Sequence, residues 1–193
     1  NSFLNFCTFY LLVSIVTLSL STKQVFKKTS SIPNFVSFLI LIMNYLTHQL
    51  LNTKEIELIN TFLNQDNLPW EDGKKTAGNH AAKVKNNKQL NRESSIVKKY
   101  AGLIEQKILN NILIKSFALP KRIHGTMFSK STKGMKYGRH IDNAYMSTGR
   151  ADLSFTIFLN EKDKYTGGEL LIESLNSESK FKLEAGSIII YPS

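Results

Sequence analysis

A change of hydrophobic period at Pro120 constrains the fold of this chain more than any other feature. Upstream the apolar residues recur at helical spacing. Asn52 with Glu55 three residues on is a capping box, and Ile56, Ile59, Phe62 and Leu63 form one stripe that runs until Pro69. Residues 70–88 are polar, with Gly73 and Gly78, and read as turns and short strands. Ile96, Tyr100, Leu103, Ile104 and Ile108 then predict one long amphipathic helix ending near Leu119-Pro120. Downstream the period is two. Leu153, Phe155, Ile157 and Leu159 mark alternate positions of a half-buried strand. Three more strands are expected over 168–173, 180–184 and 187–191, separated by NSES and by Ala185-Gly186. Helices followed by short, turn-separated strands predict an α+β fold whose strands form a sandwich, barrel or jelly roll.

Composition narrows the class further. The 193 residues suit one domain, and 42% hydrophobic against 21% charged residues excludes intrinsic disorder. A lone cysteine, Cys7, excludes an internal disulfide and a Cys-rich zinc site. It fits a reducing compartment, and the expected location is cytoplasmic. The net charge is +10, but the bases are spread as KK or KxK pairs with no run of five, so no nucleic-acid partner is expected.

Three parts are expected along the chain. Residues 1–42 carry three lysines and no acid, and 3–20 are almost wholly apolar. They lack the basic start and small-residue cleavage site of a signal peptide, and no Met precedes Met43. The expectation is upstream sequence read in frame, making few contacts with the rest, with a membrane anchor as the alternative. Residues 43–120 form a helical part and 121–193 a partial jelly-roll part.

The sharpest short signal is His140-Ile141-Asp142. Residues i and i+2 of an extended segment project to one face, so imidazole and carboxylate would point together into a sheet or barrel interior. One His and one carboxylate on one face are two thirds of the facial triad that holds non-haem Fe(II). The competing reading is an exposed loop His beside a turn Asp.

Around the triplet stand further short motifs, each common by itself. They are W-x-D-G at Trp70–Gly73, K-V-K-N-N at Lys83–Asn87, A-L-P at Ala118–Pro120 and Y-G-x-H-x-D at Tyr137–Asp142. R-x-D-L-S at Arg150–Ser154, G-G-E-L at Gly167–Leu170, Ala185-Gly186 and Y-P-S at Tyr191–Ser193 follow. In this order they resemble the PKHD-type hydroxylases, bacterial relatives of prolyl 4-hydroxylase among the Fe(II)/2-oxoglutarate dioxygenases. The resemblance runs from about Met43 to Ser193 and leaves out residues 1–42.

The resemblance implies a double-stranded β-helix, a jelly roll with helices packed outside it. It implies O2-dependent hydroxylation of a substrate, coupled to decarboxylation of 2-oxoglutarate to succinate, with L-ascorbate keeping the iron reduced. His140 and Asp142 correspond to the first two Fe(2+) ligands. Two departures accompany it. The family's third ligand, a His beyond Y-P-S, and its 2-oxoglutarate-binding Arg have no counterpart up to Ser193, and His48, His80 and His124 do not match the distal motif. Ser131 stands where many relatives carry a Tyr. The expectation is therefore an enzyme fragment that binds Fe(II) weakly and does not turn over 2-oxoglutarate. A non-catalytic basic jelly-roll binding module is the alternative. Nothing in the residues identifies the hydroxylation substrate or the oligomeric state.

Overall fold

The computed structural model describes residues 45–146, 149–174 and 177–193, together with the backbone of 9–14. Cys7, Lys23, Lys27, Lys28 and Met43 lie outside the described residues.

Strands β1 (Phe9–Ser14), β2 (Leu46–Gln49), β3 (Trp70–Asp72), β5 (Lys88–Leu90), β6 (Thr126–Ser131), β10 (Leu153–Phe158) and β13 (Ser187–Pro192) build one seven-stranded sheet in the order β2-β13-β10-β1-β6-β5-β3. Three two-stranded pairs surround it: β4 (Lys85–Asn86) with β7 (Lys136–Tyr137), β8 (Tyr145–Met146) with β9 (Gly149–Arg150), and β11 (Leu170–Glu173) with β12 (Glu178–Phe181). Every pairing is antiparallel. Helices α1 (Thr53–Leu63), α2 (Asn79–Val84), α3 (Ser95–Asn110) and α4 (Ile112–Ala118) complete a mixed α and antiparallel-β architecture.

The period-two pattern gives the sheet two different faces. Phe155 and Ile157 of β10, Ile188 and Ile190 of β13, Phe128 of β6 and Leu90 of β5 share one buried cluster with Ile59, Phe62, Val97, Ile104, Ile108 and Ile114 of the helices. Phe62 anchors this layer, stacked on Tyr100 at 4.0 Å and edge-on to Phe128 at 5.7 Å. On the opposite face Phe158 and Ile189 pack with Phe181, Leu170 and Ile172 beneath the β11–β12 ribbon. That face also buries the polar side chains Ser129, Ser154 and Thr156.

Local chemistry sets the helix limits. The capping box forms as the spacing predicts, with Glu55 N–H donating to Asn52 Oδ1 (3.1 Å) and Asn52 N–H to Glu55 Oε2 (2.9 Å). The helix stops at Leu63, earlier than the expected stop at Pro69, because Asn64 caps it and Asn67 takes a φ of 63°. The long helix expected to reach Leu119-Pro120 is two helices. Asn111 leaves helical geometry (φ −72°, ψ 124°), and its side chain accepts from Ile114 N–H to start α4. Within 70–88 the short helix α2 appears where only turns and strands were expected.

Gly186 joins the sheet to the helical layer. Its carbonyl accepts from Leu50 and Leu51 N–H at 3.0 and 3.1 Å, its φ is +85°, and a Cβ there would stand 2.5 Å from Leu51 O. Only glycine fits that approach without strain.

The expectation that residues 1–42 make few contacts is corrected at Phe9–Ser14. This segment is the middle strand of the sheet, six residues in register with β6 and four with β10. The apolar, β-branched character that suggested an anchor also suits a central strand. Among the described residues no helix is long and apolar enough to cross a membrane. In a middle strand each backbone N–H serves one of two neighbours, so Leu12→Pro deletes a ladder bond and strands a buried carbonyl. The expected loss is about 1–3 kcal/mol, read as a lower melting temperature; unchanged melting would show that the segment does not hold this place.

Candidate functional site

His140, Ile141 and Asp142 lie just beyond β7 in extended chain that belongs to no ladder, which departs from the strand position expected for them. The alternation holds without the strand. Ile141 is 91% exposed and points to solvent, while the two flanking side chains turn inward and are 24% and 14% exposed. His140 Nε2 stands 3.2 Å from Asp142 Oδ1.

Each partner is fixed by a second element. His140 Nδ1 is 2.8 Å from the Gly138 carbonyl, which can only accept, so Nδ1 carries a proton, and Nε2 faces Asp142, donating to it when the ring is protonated and presenting a lone pair when the ring is neutral. The face of the imidazole stacks on Tyr137, centroids 3.7 Å apart and planes 12° from parallel. Asp142 Oδ2 accepts from Ser154 Oγ of β10 at 2.6 Å. Since Ser154 gives its proton to the carboxylate, Ser193 donates to Ser154 Oγ across 2.9 Å. Thus R-x-D-L-S and Y-P-S both end on the carboxylate, and Arg150 pairs with Asp152 at the start of the same strand.

The two titratable groups are driven apart. Burial opposes charge on both. For His140 the bond to Asp142, the Gly138 carbonyl and the Asp142 charge outweigh burial and raise the pKa above 6.5. For Asp142 the bonds from His140 and Ser154 and the charges of His140 and Lys85 outweigh it and hold the carboxyl below 3.8. Lys85 is buried at 3% exposure, and desolvation brings its ammonium down to about 8 against the opposing pull of Asp142 and Asp72. Burial, followed by the Asp142 charge, raises Tyr137 to about 12, so the phenol stays neutral.

Tyr137, His140 and Asp142 stand on the wall of an open cleft of about 1570 Å³, lined also by Ser129, Ser131, Thr156, Tyr191 and Asn87. Asn87 Oδ1 is buried in this wall without a hydrogen-bond partner among the described residues. Ser131, at the end of β6, faces the cleft as its place in the sequence suggests. The other histidines lie elsewhere. His48 Nε2 meets Asn111 Nδ2 at 3.0 Å, His124 Nε2 accepts from Arg122 Nε at 3.1 Å, and His80 is exposed on α2.

A lone-pair nitrogen and an ionised oxygen converging within 3.2 Å need a cation between them, whether a proton or a metal ion. The donor chemistry fits a divalent metal. Among the described residues no third His, Cys, Asp or Glu joins them. The sequence reading gave no role to Tyr137, Lys85 or Ser154, although each lies in a quoted motif. Ser154 occupies the polar phase of the β10 alternation, which a half-buried strand would leave to solvent and which the structure buries toward Asp142.

Residues 126–193 match the model of the 2OG-Fe(II) oxygenase superfamily. A PKHD-type hydroxylase of Prochlorococcus marinus strain MIT 9215 is 78% identical over 151 residues, covering 78% of this chain and 68% of the relative. Those of strains MIT 9312 and MIT 9211 are 67% and 51% identical over the same length and share. The chain belongs to the PKHD-type hydroxylases and is an enzyme of that family, a hydroxylase of the dioxygenase class.

A pH series tests the Asp142 linkage. The raised His140 contributes stability that is full below about 6.5 and is lost as pH rises through its folded pKa. The lowered Asp142 contributes stability present above about 3.8 and lost as pH falls through its folded pKa. In the metal-free protein the pair is strongest between those two values. Ser154→Ala removes a bond to the charged form and is expected to cost roughly 1.5–3 kcal/mol near pH 6, shrinking at a pH where Asp142 is protonated. Thermal melts of both proteins across pH 2.5–8 (roughly, bracketing both groups) read the difference; a pH-independent loss would mean that Ser154 acts only through packing.

Proposed function

We propose that this chain is an Fe(II)- and 2-oxoglutarate-dependent hydroxylase in which His140 and Asp142 hold the metal. The carrying observation is the convergence of His140 Nε2 and Asp142 Oδ1 at 3.2 Å on the wall of the cleft. Bound Fe(II) supplies the redox chemistry that joins O2 reduction to decarboxylation of 2-oxoglutarate to succinate and hydroxylation of a substrate, with L-ascorbate keeping it reduced.

The chain's own residues do the rest. Gly138 holds the proton at His140 Nδ1, so Nε2 is free to ligate. Ser154 and Ser193 orient the carboxylate. The Ser129, Ser131 and Asn87 side of the cleft offers neutral hydrogen-bonding groups to whatever lies beside the metal. The half-buried, un-ionised Tyr191 offers a phenol on the same wall. The sheet with its β11–β12 ribbon is read as part of a jelly roll, and the single cysteine agrees with a cytoplasmic site of action.

Two donors from the described residues make a weak site, so added imidazole should tighten binding by filling a third position. Anaerobic titration with Co(II) as a spectroscopic stand-in for Fe(II), with and without imidazole, is the test. Binding is expected in the 193-residue chain, strengthened by imidazole and abolished in His140→Ala and Asp142→Ala. Equal binding by the variants would remove the metal assignment. With Fe(II), 2-oxoglutarate and air, little succinate is expected. Robust succinate release that disappears in His140→Ala would show that another residue completes the ligand set.

A further inference from the structure

We propose that Lys85 is a positioning residue: through Tyr137 it sets the plane of the His140 imidazole. The proposal takes from the preceding reading only the purpose, a ligand held ready for a metal; the contacts belong to the chain alone. It gives a role to K-V-K-N-N, a motif that the metal assignment leaves unused.

Strand β4 begins at Lys85, directly opposite Tyr137 of β7. The Lys85 ammonium lies 4.6 Å from the centroid of the Tyr137 ring, within the range of cation–π attraction. The same ring carries the stacked imidazole. The neighbouring residue makes a second fastening. Val84 C=O accepts from Gly138 N–H at 2.8 Å, and Gly138 C=O in turn takes the Nδ1 proton of His140. A Cβ on Gly138 would stand 3.0 Å from Val84 Cβ, so the strands approach this closely because that residue is glycine. Val84 and Lys85 thus hold two of the groups that touch the imidazole, one on its face and one at its Nδ1 edge.

The chemistry of position 85 argues against a packing role. Among the described residues the ammonium has one hydrogen bond, to Thr76 Oγ1 at 3.2 Å, and its residue is 3% exposed. Burying a charge with so few partners is unfavourable, and an unbranched apolar side chain of similar length would fill the space at lower cost. The Lys85 charge acts at closest range on the Tyr137 ring and at longer range on Asp142 and Asp72.

The test compares Lys85→Met, Lys85→Arg, Tyr137→Leu and the Lys85→Met/Tyr137→Leu double variant in the metal-free chain. His140 ring-proton shifts report stacking on Tyr137, and its ¹⁵N shifts report the tautomer. The wild type should show upfield ring protons and a protonated Nδ1. Lys85→Met should lose most of the upfield displacement without a lower melting temperature, and Lys85→Arg should recover it. The double variant should match Tyr137→Leu, because Lys85 acts through the ring. Co(II) affinity should fall roughly tenfold in Lys85→Met, the usual consequence of losing a partner that orients a ligand. Removing a cation beside the site would by Coulomb attraction alone tighten binding, so the sign separates orientation from charge. Wild-type His140 shifts with equal or tighter Co(II) binding in Lys85→Met would overturn the proposal. If Lys85→Met does not fold, a folded Lys85→Arg with altered His140 shifts overturns it, and one with retained shifts supports it. Absence of Co(II) binding in the wild type would defeat the metal reading, while the His140 resonances would still decide the role of Lys85.

Discussion

The site depends on β10 being buried on both faces. Phe155 and Ile157 are fully buried against the helices, and Ser154 and Thr156 are equally buried toward the cleft. A hydroxyl in such a place needs a partner, and Ser154 finds two, Asp142 and Ser193. The alternation that docks the sheet on its helices therefore also aims a donor at the carboxylate. Register protects the arrangement: a slip of one residue would exchange Ser154 for Phe155 and turn the apolar side into the cleft.

Electrostatics then follow from geometry. Asp142 is buried enough to resist ionisation, yet three neighbours favour its charge: a hydroxyl, an imidazole and, farther off, the Lys85 ammonium. The result is a carboxylate ready as a ligand across the physiological range. Tyr137 contributes differently, because burial keeps its phenol neutral and leaves its ring as a flat support. The Arg139–Glu173 ion pair ties the triplet segment to the end of β11 at the cleft mouth, where exposure makes it worth little in stability.

The sequence made the main divisions legible because they rest on periodicity. The capping box at Asn52 and Glu55, the alternation of 153–159, and the shared inward side of His140 and Asp142 are all local consequences of spacing. What was missed depends on partners distant in sequence. Asn111 breaks the long helix because its side chain can cap the next one, a competition that an apolar stripe does not record. Lys85 and Tyr137 are 52 positions apart and meet only because β4 pairs with β7. The strand at Phe9–Ser14 was read as upstream sequence or an anchor because its apolar run precedes Met43, and its partners β6 and β10 lie more than a hundred positions away in sequence.

That middle strand imposes an order on synthesis. Leu11 and Leu12 are made well before their partners Phe158 and Ile157. At about 5–20 residues per second, β1 waits roughly 7–30 s for β10 to exist. Until β6 is made it is an apolar strand with two open edges, and until β10 is made one edge stays open as a template for wrong partners. The helices that lie between β1 and β10 in sequence can close their own contacts meanwhile, so the sheet closes after them, and a nascent-chain chaperone would have its longest task at this strand.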